Sequence, residues 1–318
     1  MNYIIDENGT YAHYFHHKTD GICRNYLRGG IKQERKIIFK DASDIFGLYS
    51  DGVSVHILTV SKSGELLYIK GSVNNWHRYI LRKLHDDEKI LKIALYSVKS
   101  RLHMLYTVIS GDKIILASCV LGNNCMPYAI AELAGGDFNI INNRVYFKNN
   151  KCHSCFYDLS VPEKSVCIKI AENSDLAYTY NNHITFISDG KIFFDYKELC
   201  RDENASNIIL TESKNNLYAV WRSSDGVKYM NTDMSESAPH TVLIPGGKSI
   251  LYTIFTHGKR YLVYGNNSET EIKIYINTSV FSIKSFTPSD SLKEKLEEMK
   301  KEIELLRSQL VAFSDRLM

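Results

Sequence analysis

Two pairs of cysteines have types and spacing that suggest metal chemistry. Cys152 and Cys155 are separated by two residues, which is the spacing of a zinc knuckle. A structural zinc site needs four ligands, and the nearest further cysteines are Cys119 and Cys125. We expect the two pairs to occupy turns at opposite ends of their sheets. The sequence therefore predicts reduced, partly buried thiols and no zinc site.

Three histidines near the N-terminus form a second candidate metal group. His16 and His17 are adjacent, so on a strand they point to opposite faces. His13 and His17 share a face, but at ~3.3 Å per residue they lie about 13 Å apart and cannot chelate one ion on a straight strand. We therefore expect no metal and no cofactor.

Aromatic residues offer a different chemistry, since a flat ring can stack on a sugar or anchor a protein partner. The candidate ligand-binding residues are Trp76, Tyr79 and Trp221. Each tryptophan has an alternative role as packing between strands. The sequence contains no nucleophile elbow, phosphate loop, HExxH or EF-hand motif. It therefore predicts a binding protein and not an enzyme.

The elements that must position these residues are short apolar strands that recur along the chain. One strand type carries His, Tyr or Thr at a fixed place, and its copies are separated by 33 to 47 residues. The fixed places are His13, His56, His103, Tyr146, Thr185, Tyr218 and Tyr261. Because His recurs in the first three copies where the other copies have Tyr or Thr, we expect a packing role in which the polar tip finds a partner between sheets.

A period near forty residues made of short strands is typical of a β-propeller, in which each repeat is one blade. Turn residues divide the second repeat into IFGLYS, SVHILTV, LLYIKG and HRYILRKL. The sequence thus predicts an all-β, seven-bladed propeller with four-stranded antiparallel blades over residues 1–288. The fifth repeat is short, and if it has no outermost strand, a six-bladed ring is the alternative. No strand is exchanged between the termini, so ring closure would rest on packing of the first blade against the last.

One blade resembles the Asp-box repeat of sialidase-type propellers. Ser72, Asn74 and Trp76 in GSVNNW, followed by HRYIL, fill part of that repeat, while its Asp and Gly positions depart from it. The resemblance implies a blade hairpin here and keeps a sialidase-type glycosidase as a minor alternative. Such an enzyme would need an arginine cluster at the propeller mouth, and the predicted inner strands carry almost no charge.

The charge and composition of the chain exclude some classes of binding partner. The formal net charge is +3 over 318 residues, which gives no field of the strength that nucleic-acid binding requires. No apolar run approaches the ~20 residues that span a bilayer. The N-terminus lacks the features of a signal peptide, and the seven cysteines follow no framework. We expect a cytoplasmic protein, with surface display by a non-classical route as the alternative.

The last thirty residues, 289–318, predict a coiled-coil oligomerisation helix. Pro288 ends the strand pattern, and Ser291 with Glu294 forms a capping box. Apolar residues then alternate at spacings of four and three, and Leu at both seam positions favours a trimer or tetramer, with a dimer possible. These seam residues are Leu292, Leu296, Met299, Ile303, Leu306, Leu310, Phe313 and Leu317.

These features together predict a non-catalytic propeller made multivalent by its helix. The first interpretation of its function is a protein-interaction module. The alternative is a carbohydrate-binding lectin, whose shallow sites benefit most from multivalency. Several equivalent pockets between blades would favour the lectin, whereas one large apolar patch would favour a protein partner.

Overall fold

The computed structural model describes residues 2–275 except 8–10, 73–74, 123–125, 142, 161–165, 173, 176, 181–182, 214–215, 235–237, 244–249 and 257–258. All regular structure in these residues is β-strand, which confirms the predicted all-β class. In the same part of the chain, no helix is long and apolar enough to cross a bilayer. The predicted coiled coil of residues 289–318 lies outside the described residues.

The strands form successive antiparallel meanders, which we call units and number in chain order. Unit 1 contains β1 (Asn2–Asp6), β2 (Tyr11–Lys18), β3 (Gly21–Arg28) and β4 (Ile31–Phe39). Unit 2 contains β5 (Ala42–Ser50), β6 (Val55–Ser61), β7 (Glu65–Gly71) and β8 (Trp76–Lys83). Unit 3 contains β9 (Glu88–Val98), β10 (Arg101–Ser110), β11 (Lys113–Val120) and the first half of β12 (Tyr128–Ile141).

The remaining units continue the same order. Unit 4 contains the second half of β12 with β13 (Arg144–Asn149), β14 (Ser154–Asp158) and β15 (Ile168–Ala171). Unit 5 contains β16 (Tyr178–Tyr180), β17 (His183–Ser188), β18 (Lys191–Phe194) and β19 (Lys197–Arg201). Unit 6 contains β20 (Ser206–Ser213), β21 (Asn216–Ser223), β22 (Gly226–Asn231) and β23 (His240–Leu243). Unit 7 contains β24 (Ile250–Thr256), β25 (Lys259–Asn267) and β26 (Ile272–Tyr275).

Two details differ from the sequence-based expectation. The outer strand of unit 3 and the inner strand of unit 4 form one continuous strand, β12, whose register shifts between Leu133 and Phe138 around Gly135 and Gly136. Unit 5, which was expected to lack an outer strand, has one in β19 with the sequence KELCR. Its charged and half-buried residues lack the apolar alternation by which the other strands were identified.

Apolar clusters lie between successive units and show how the sheets pack. Units 1 and 2 share a cluster that includes Phe15 and Ile57. Units 2 and 3 share a second, units 3 and 4 a third, and units 4 to 7 a fourth, to which unit 7 contributes Tyr264. Sheets that pack face to face in chain order around a ring are the arrangement of a β-propeller.

Units 7 and 1 close the ring. Their inner strands β24 and β1 pair in parallel, with Ile4 opposite Ile254. A buried apolar cluster shared by the two units contains these residues. At the outer edge, the amide of Ile272 donates to the carbonyl of Gly30 at 2.9 Å. Gly30 has a φ of +81°, and a Cβ there would lie 2.7 Å from the Ile272 carbonyl oxygen, so the closure requires glycine. The predicted packing of the first blade on the last is therefore accompanied by backbone pairing.

Side chains from the closing units also reach the inner strands of other units. The Tyr3 hydroxyl donates to the Phe46 carbonyl at 3.3 Å, and the Arg260 guanidinium donates to the Leu95 carbonyl at 3.5 Å. Where an inner strand pairs only with the next strand of its own unit, its other edge carries backbone groups that need partners. Unit 1 supplies such a partner to unit 2, and unit 7 supplies one to unit 3.

We predict that closure depends on the paired inner strands. Ile254→Ala removes a side chain that is 0% exposed, and we expect it to lower the free energy of unfolding by about 2–5 kcal/mol in urea denaturation. Ile80→Ala is the matched control, because Ile80 is 57% exposed and its truncation should change that free energy by at most about 0.5 kcal/mol. Equal losses in the two variants would contradict this account of closure.

Candidate carbohydrate-binding grooves

Pairs of neighbouring rings, some stacked and others tilted or edge-on, recur toward one end of the units, where the first strand turns into the second. In a propeller the first strands run in the same direction, so these turn ends form one face. Ring centroids in the recurring pairs lie 4.9 to 6.1 Å apart. The pairs are His13–Tyr26, His56–Tyr68, Tyr96–His103, Tyr146–Phe156, His183–Phe194 and Tyr218–Tyr229. The mouths of the grooves between units are thus lined by aromatic rings.

In the groove between units 1 and 2, an imidazole and a carboxylate join the rings. His13 Nε2 lies 2.9 Å from the Glu7 Oε1, and the Glu7 side chain is 42% exposed. Tyr11 and Tyr26 stack with centroids 5.8 Å apart and an interplanar angle of 10°. The Arg28 guanidinium lies 6.0 Å from the Tyr11 centroid. This groove therefore offers a hydrogen-bonding acid and a cation beside a flat aromatic surface.

Trp76 enters the same groove from unit 2. Its ring packs edge-on against Phe15 with centroids 6.3 Å apart, and Phe15 shares a face of β2 with His13. Two residues further along β8, Arg78 lies 5.7 Å over the Phe39 ring of unit 1. The half-buried indole is thus positioned between the two units by the sequence of β8. Of the Asp-box-like residues, Trp76 begins this strand, and Asn74 lies outside the described residues.

The groove between units 2 and 3 repeats the arrangement. Tyr79 is 52% exposed and stacks on Tyr68 with centroids 5.9 Å apart. His56 Nδ1 lies 2.7 Å from the Tyr68 hydroxyl, and His56 Nε2 lies 3.3 Å from the Asp51 Oδ2. The Asp51 Oδ1 accepts hydrogen bonds from the amides of Val53 and Ser54, which fixes the turn. The sequence-predicted residue Tyr79 is therefore part of a second aromatic, imidazole and carboxylate cluster.

Burial lowers the pKa of the histidines in these clusters. His13, His56 and His103 are 6–7% exposed, and desolvation lowers the pKa of each. Glu7 and Asp51 oppose this effect on His13 and His56, whereas Arg101 reinforces it on His103. Their burial confirms the predicted packing role.

The described groups provide no hydrogen-bond partner for two of these imidazole nitrogens, His13 Nδ1 and His103 Nδ1. These atoms lie in the first and third copies of the recurring strand. A partner between sheets was expected for each polar tip, but the partner of His13 is Glu7, which lies in the turn between β1 and β2 of the same unit. The Nδ1 atoms therefore keep unused hydrogen-bonding capacity beside the stacked rings.

Trp221, the third predicted ligand residue, is placed differently. Its ring is 0% exposed in the cluster shared by units 4 to 7. The indole N–H donates to the Asp202 Oδ2 at 2.9 Å, and Lys228 lies 3.2 Å from the same oxygen. The structure gives Trp221 the packing role that was its alternative and leaves no ring face for a ligand.

The candidate metal residues are also dispersed. Within the described ranges, no group of three His, Cys, Asp or Glu could hold a metal ion. His16 Nε2 lies 2.7 Å from Asn25 Oδ1, and His17 Nε2 lies 3.2 Å from the Ala42 carbonyl. Cys152 is exposed and Cys155 buried, both as free thiols.

Cys119 is disulfide-bonded, which corrects the prediction of a reduced thiol at this position, whereas Cys152 and Cys155 are free as predicted. Cys125, the other cysteine considered for a zinc site, lies outside the described residues. The sequence contains no regular cysteine spacing that would have indicated this bond.

The acids of the two clusters were missed by sequence reasoning. Glu7 precedes His13 by six residues, and Asp51 precedes His56 by five, each in the turn that leads into the second strand. An acidic residue in this turn could have indicated the clusters. Acidic residues such as Asp are also common in turns because they favour turn geometry, so the signal is not specific.

Comparisons with known proteins show that the arrangement of strands in this chain is similar to that in several solved structures. No protein-family model and no curated protein matches the chain. A solved structure of SapL1 lectin with alpha methyl fucoside is 10% identical, with 77% of this chain and 96% of that one covered and a TM-score of 0.43. A six-bladed lectin from Aleuria aurantia, described with a fucose recognition mode, is 11% identical, with 86% and 90% covered and a TM-score of 0.44.

A prolyl endopeptidase gives a comparable likeness. It is 11% identical, with 80% of this chain and 44% of that one covered, and its TM-score is also 0.44. These scores lie below 0.5, and the ligands and activities belong to those proteins.

We predict that the buried histidines make stability depend on pH. A pKa that is lower in the folded state means that the unfolded chain binds more protons, so stability is complete above pH ~6.5 and falls as the pH decreases below it. His103→Gln should flatten the slope of unfolding free energy against pH between about pH 5 and 7. His77→Gln, at an exposed position on β8, should leave the slope as it is. An unchanged slope in His103→Gln would contradict the assignment.

Proposed function

We propose that this protein is a non-catalytic, carbohydrate-binding module of lectin type. The observation that carries the proposal is the repetition of one cluster at neighbouring groove mouths. The first groove contains Glu7, His13 and Tyr26. The second groove contains Asp51, His56 and Tyr68. Equivalent pockets between blades were the feature expected to favour a lectin over a protein-interaction module.

The chemistry of these clusters suits a sugar. A pyranose ring presents C–H groups on one face, which pack on an aromatic surface, and hydroxyl groups at its rim, which donate to carboxylates. Tyr79 offers a half-exposed ring, and Asp51 lies within the same cluster with 44% of its side chain exposed. In the first groove, Tyr11 and Glu7 provide the same pair of functions.

The distribution of exposed apolar residues supports a sugar over a protein partner. A protein interface is usually centred on a contiguous apolar patch. In the described part of the chain, the exposed large apolar side chains are spread over units 1 to 6, with one to three in each. They are Ile37, Val53, Tyr79, Ile80, Val120, Met126, Val166, Ile168, Tyr196 and Met234.

The second cluster also argues for binding without catalysis. His56 with Asp51 resembles an imidazole–carboxylate pair, which would need a nucleophile to activate. The hydroxyl at its other nitrogen belongs to Tyr68, and burial raises the pKa of that phenol to about 12. Such a phenol is a poor nucleophile, so the pair is better suited to hold hydroxyl groups of a ligand.

The proposal also includes multivalent binding, in which the C-terminal helix links several copies of the propeller. We infer a seven-bladed ring over residues 1–288, carried on a coiled coil of residues 289–318 that forms a trimer or tetramer through its apolar seam. Weak sugar sites on linked copies gain avidity through effective concentration, by about 10²-fold or more where the geometry permits.

We predict that the exposed ring of the second groove contributes to sugar binding. In saturation-transfer NMR against a panel of methyl glycosides, Tyr79→Ala should weaken binding at that groove by about tenfold, since ring stacking contributes on the order of 1 kcal/mol or more. Tyr11→Ala should act in the same way at the first groove.

Ile80→Ala is the matched control for Tyr79→Ala. The two residues are neighbours on β8, are 57% and 52% exposed, and point to opposite faces of the sheet. Its sugar binding should equal that of the unchanged protein. If Ile80→Ala weakened binding as much as Tyr79→Ala, the groove would not be the site.

We also predict that the C-terminal helix determines avidity. A chain truncated after Pro288 should be monomeric in light scattering and should bind a glycan-coated surface about 10²-fold more weakly than the full chain. Its affinity for a free monosaccharide should be unchanged, because each site is intact. A truncated chain that remains a trimer or tetramer would contradict the assignment of residues 289–318.

A further inference from the structure

Two bases lie side by side in the groove between units 2 and 3. Lys70 on β7 and His77 on β8 are directly opposite each other in the antiparallel register, where Cβ atoms are ~5 Å apart. Lys70 is also opposite His56 on β6, so these three side chains form one row across a single face of the sheet. That face carries Leu58, which belongs to the apolar cluster shared by units 2 and 3. Both bases are exposed, so a ligand in the groove can reach them.

The stacked rings of Tyr68 and Tyr79 form a second row on the same face. Tyr68 is opposite Tyr79, and the row lies two residues further along the strands than Lys70 and His77. The two ring centroids are 5.9 Å apart at an interplanar angle of 27°, and Tyr79 is 52% exposed. A ligand that packs on the Tyr79 ring therefore has its rim beside the two bases.

Neither base is neutralised by an acidic side chain in the described part of the chain. The ion pairs that unit 2 forms there are Asp51 with His56 and Arg82 with Glu88. The Asp51 carboxylate is held by two amides of its own turn and by His56. Lys70 and His77 thus remain available to an acidic group that arrives from solvent.

The acid and the bases of this groove lie at different distances from the centre of the ring. Asp51 is in the turn between β5 and β6, on the inner side of the unit, whereas Lys70 and His77 lie on its two outer strands. Because neighbouring strands are ~4.8 Å apart, about 10 Å separates the turn of Asp51 from the pair of bases. A pyranose whose hydroxyl groups face Asp51 can therefore extend an acidic group outward to Lys70 and His77.

We propose that the second groove prefers a sugar that carries a carboxylate, such as a uronic acid, over the neutral sugar of the same configuration. This inference rests on the proposed lectin function and adds the chemical class of the ligand. The pyranose packs on Tyr79 and donates hydroxyl hydrogens to Asp51. Lys70 supplies a cation for the carboxylate, and His77 supplies an N–H donor beside it.

The pair of bases is a feature of the second groove. In the first groove, the residue opposite His13 is Tyr26, where the second groove has Lys70 opposite His56. The first groove contains a different cation, Arg28, near the Tyr11 ring. A test of the second groove must therefore remove the contribution of the first, which Tyr11→Ala does.

The test is saturation-transfer NMR titration of the full chain carrying Tyr11→Ala. The methyl glycosides of glucuronic, galacturonic and mannuronic acid are each compared with the neutral methyl glycoside of the same configuration. At least one uronide should bind about fivefold more tightly than its neutral counterpart, which is the order expected for an exposed ion pair. Lys70→Gln should bring the ratio of the two affinities close to one, and His77→Gln should lower it by about twofold.

Lys83→Gln is the matched control, because Lys83 is an exposed lysine at the far end of β8, opposite Glu65. It should leave the ratio unchanged, whereas Tyr79→Ala should weaken the binding of uronide and neutral glycoside alike. Equal affinities for all three pairs of glycosides, or a preference that survives Lys70→Gln, would overturn this inference and leave the lectin function standing. Absence of binding for every glycoside would overturn both.

Discussion

In a ring of sheets, the inner strand of each unit pairs with one strand of its own unit, so its other edge must find partners elsewhere, and the fold depends on satisfying those edges. At the junction of the chain's two ends, β1 and β24 satisfy each other by parallel pairing. Elsewhere, side chains from the closing units reach the inner strands, as Tyr3 does at Phe46, Arg260 at Leu95 and Tyr264 at Asn207. The last two contacts begin in unit 7, so the C-terminal strands help hold units far from them in sequence.

The need to satisfy the edges of the inner strands also separates the centre of the ring from the groove mouths. The centre of the ring is occupied by groups that stabilise the inner strands, together with the charge of Arg260. The groove mouths lie toward the turns, where side chains are not needed as partners for the inner strands. Glu7, Asp51 and Tyr79 are substantially exposed there. Buried histidines connect the two regions, because their rings pack in the grooves while their nitrogens contact the exposed acids.

Much of the fold could be predicted from sequence because the strands repeat. The position of His13, His56 and His103 in successive second strands gave the unit length and the strand order. Strand β19 was not predicted, because KELCR follows a turn at Asp195 and Tyr196 without apolar alternation. The continuity of β12 was also missed, since two adjacent glycines normally indicate a turn. The disulfide at Cys119 depends on distances in space that spacing alone does not encode.

The binding residues were predictable only in part. Trp76 and Tyr79 were found because they are aromatic residues, and the structure leaves Tyr79 52% exposed while Trp76 is half-buried against Phe15. Trp221 has the same residue type but is buried, and its role depends on Asp202, nineteen residues away in the sequence. Residue type therefore identifies candidates, whereas packing decides which of them face a ligand.

The most direct test of the account is a glycan-array screen of the full chain. The aromatic, imidazole and carboxylate clusters predict binding to a defined set of sugars, with affinity that falls in Tyr79→Ala. Absence of binding to any glycan on the array, with folded full-length protein, would contradict the central claim and favour a protein partner.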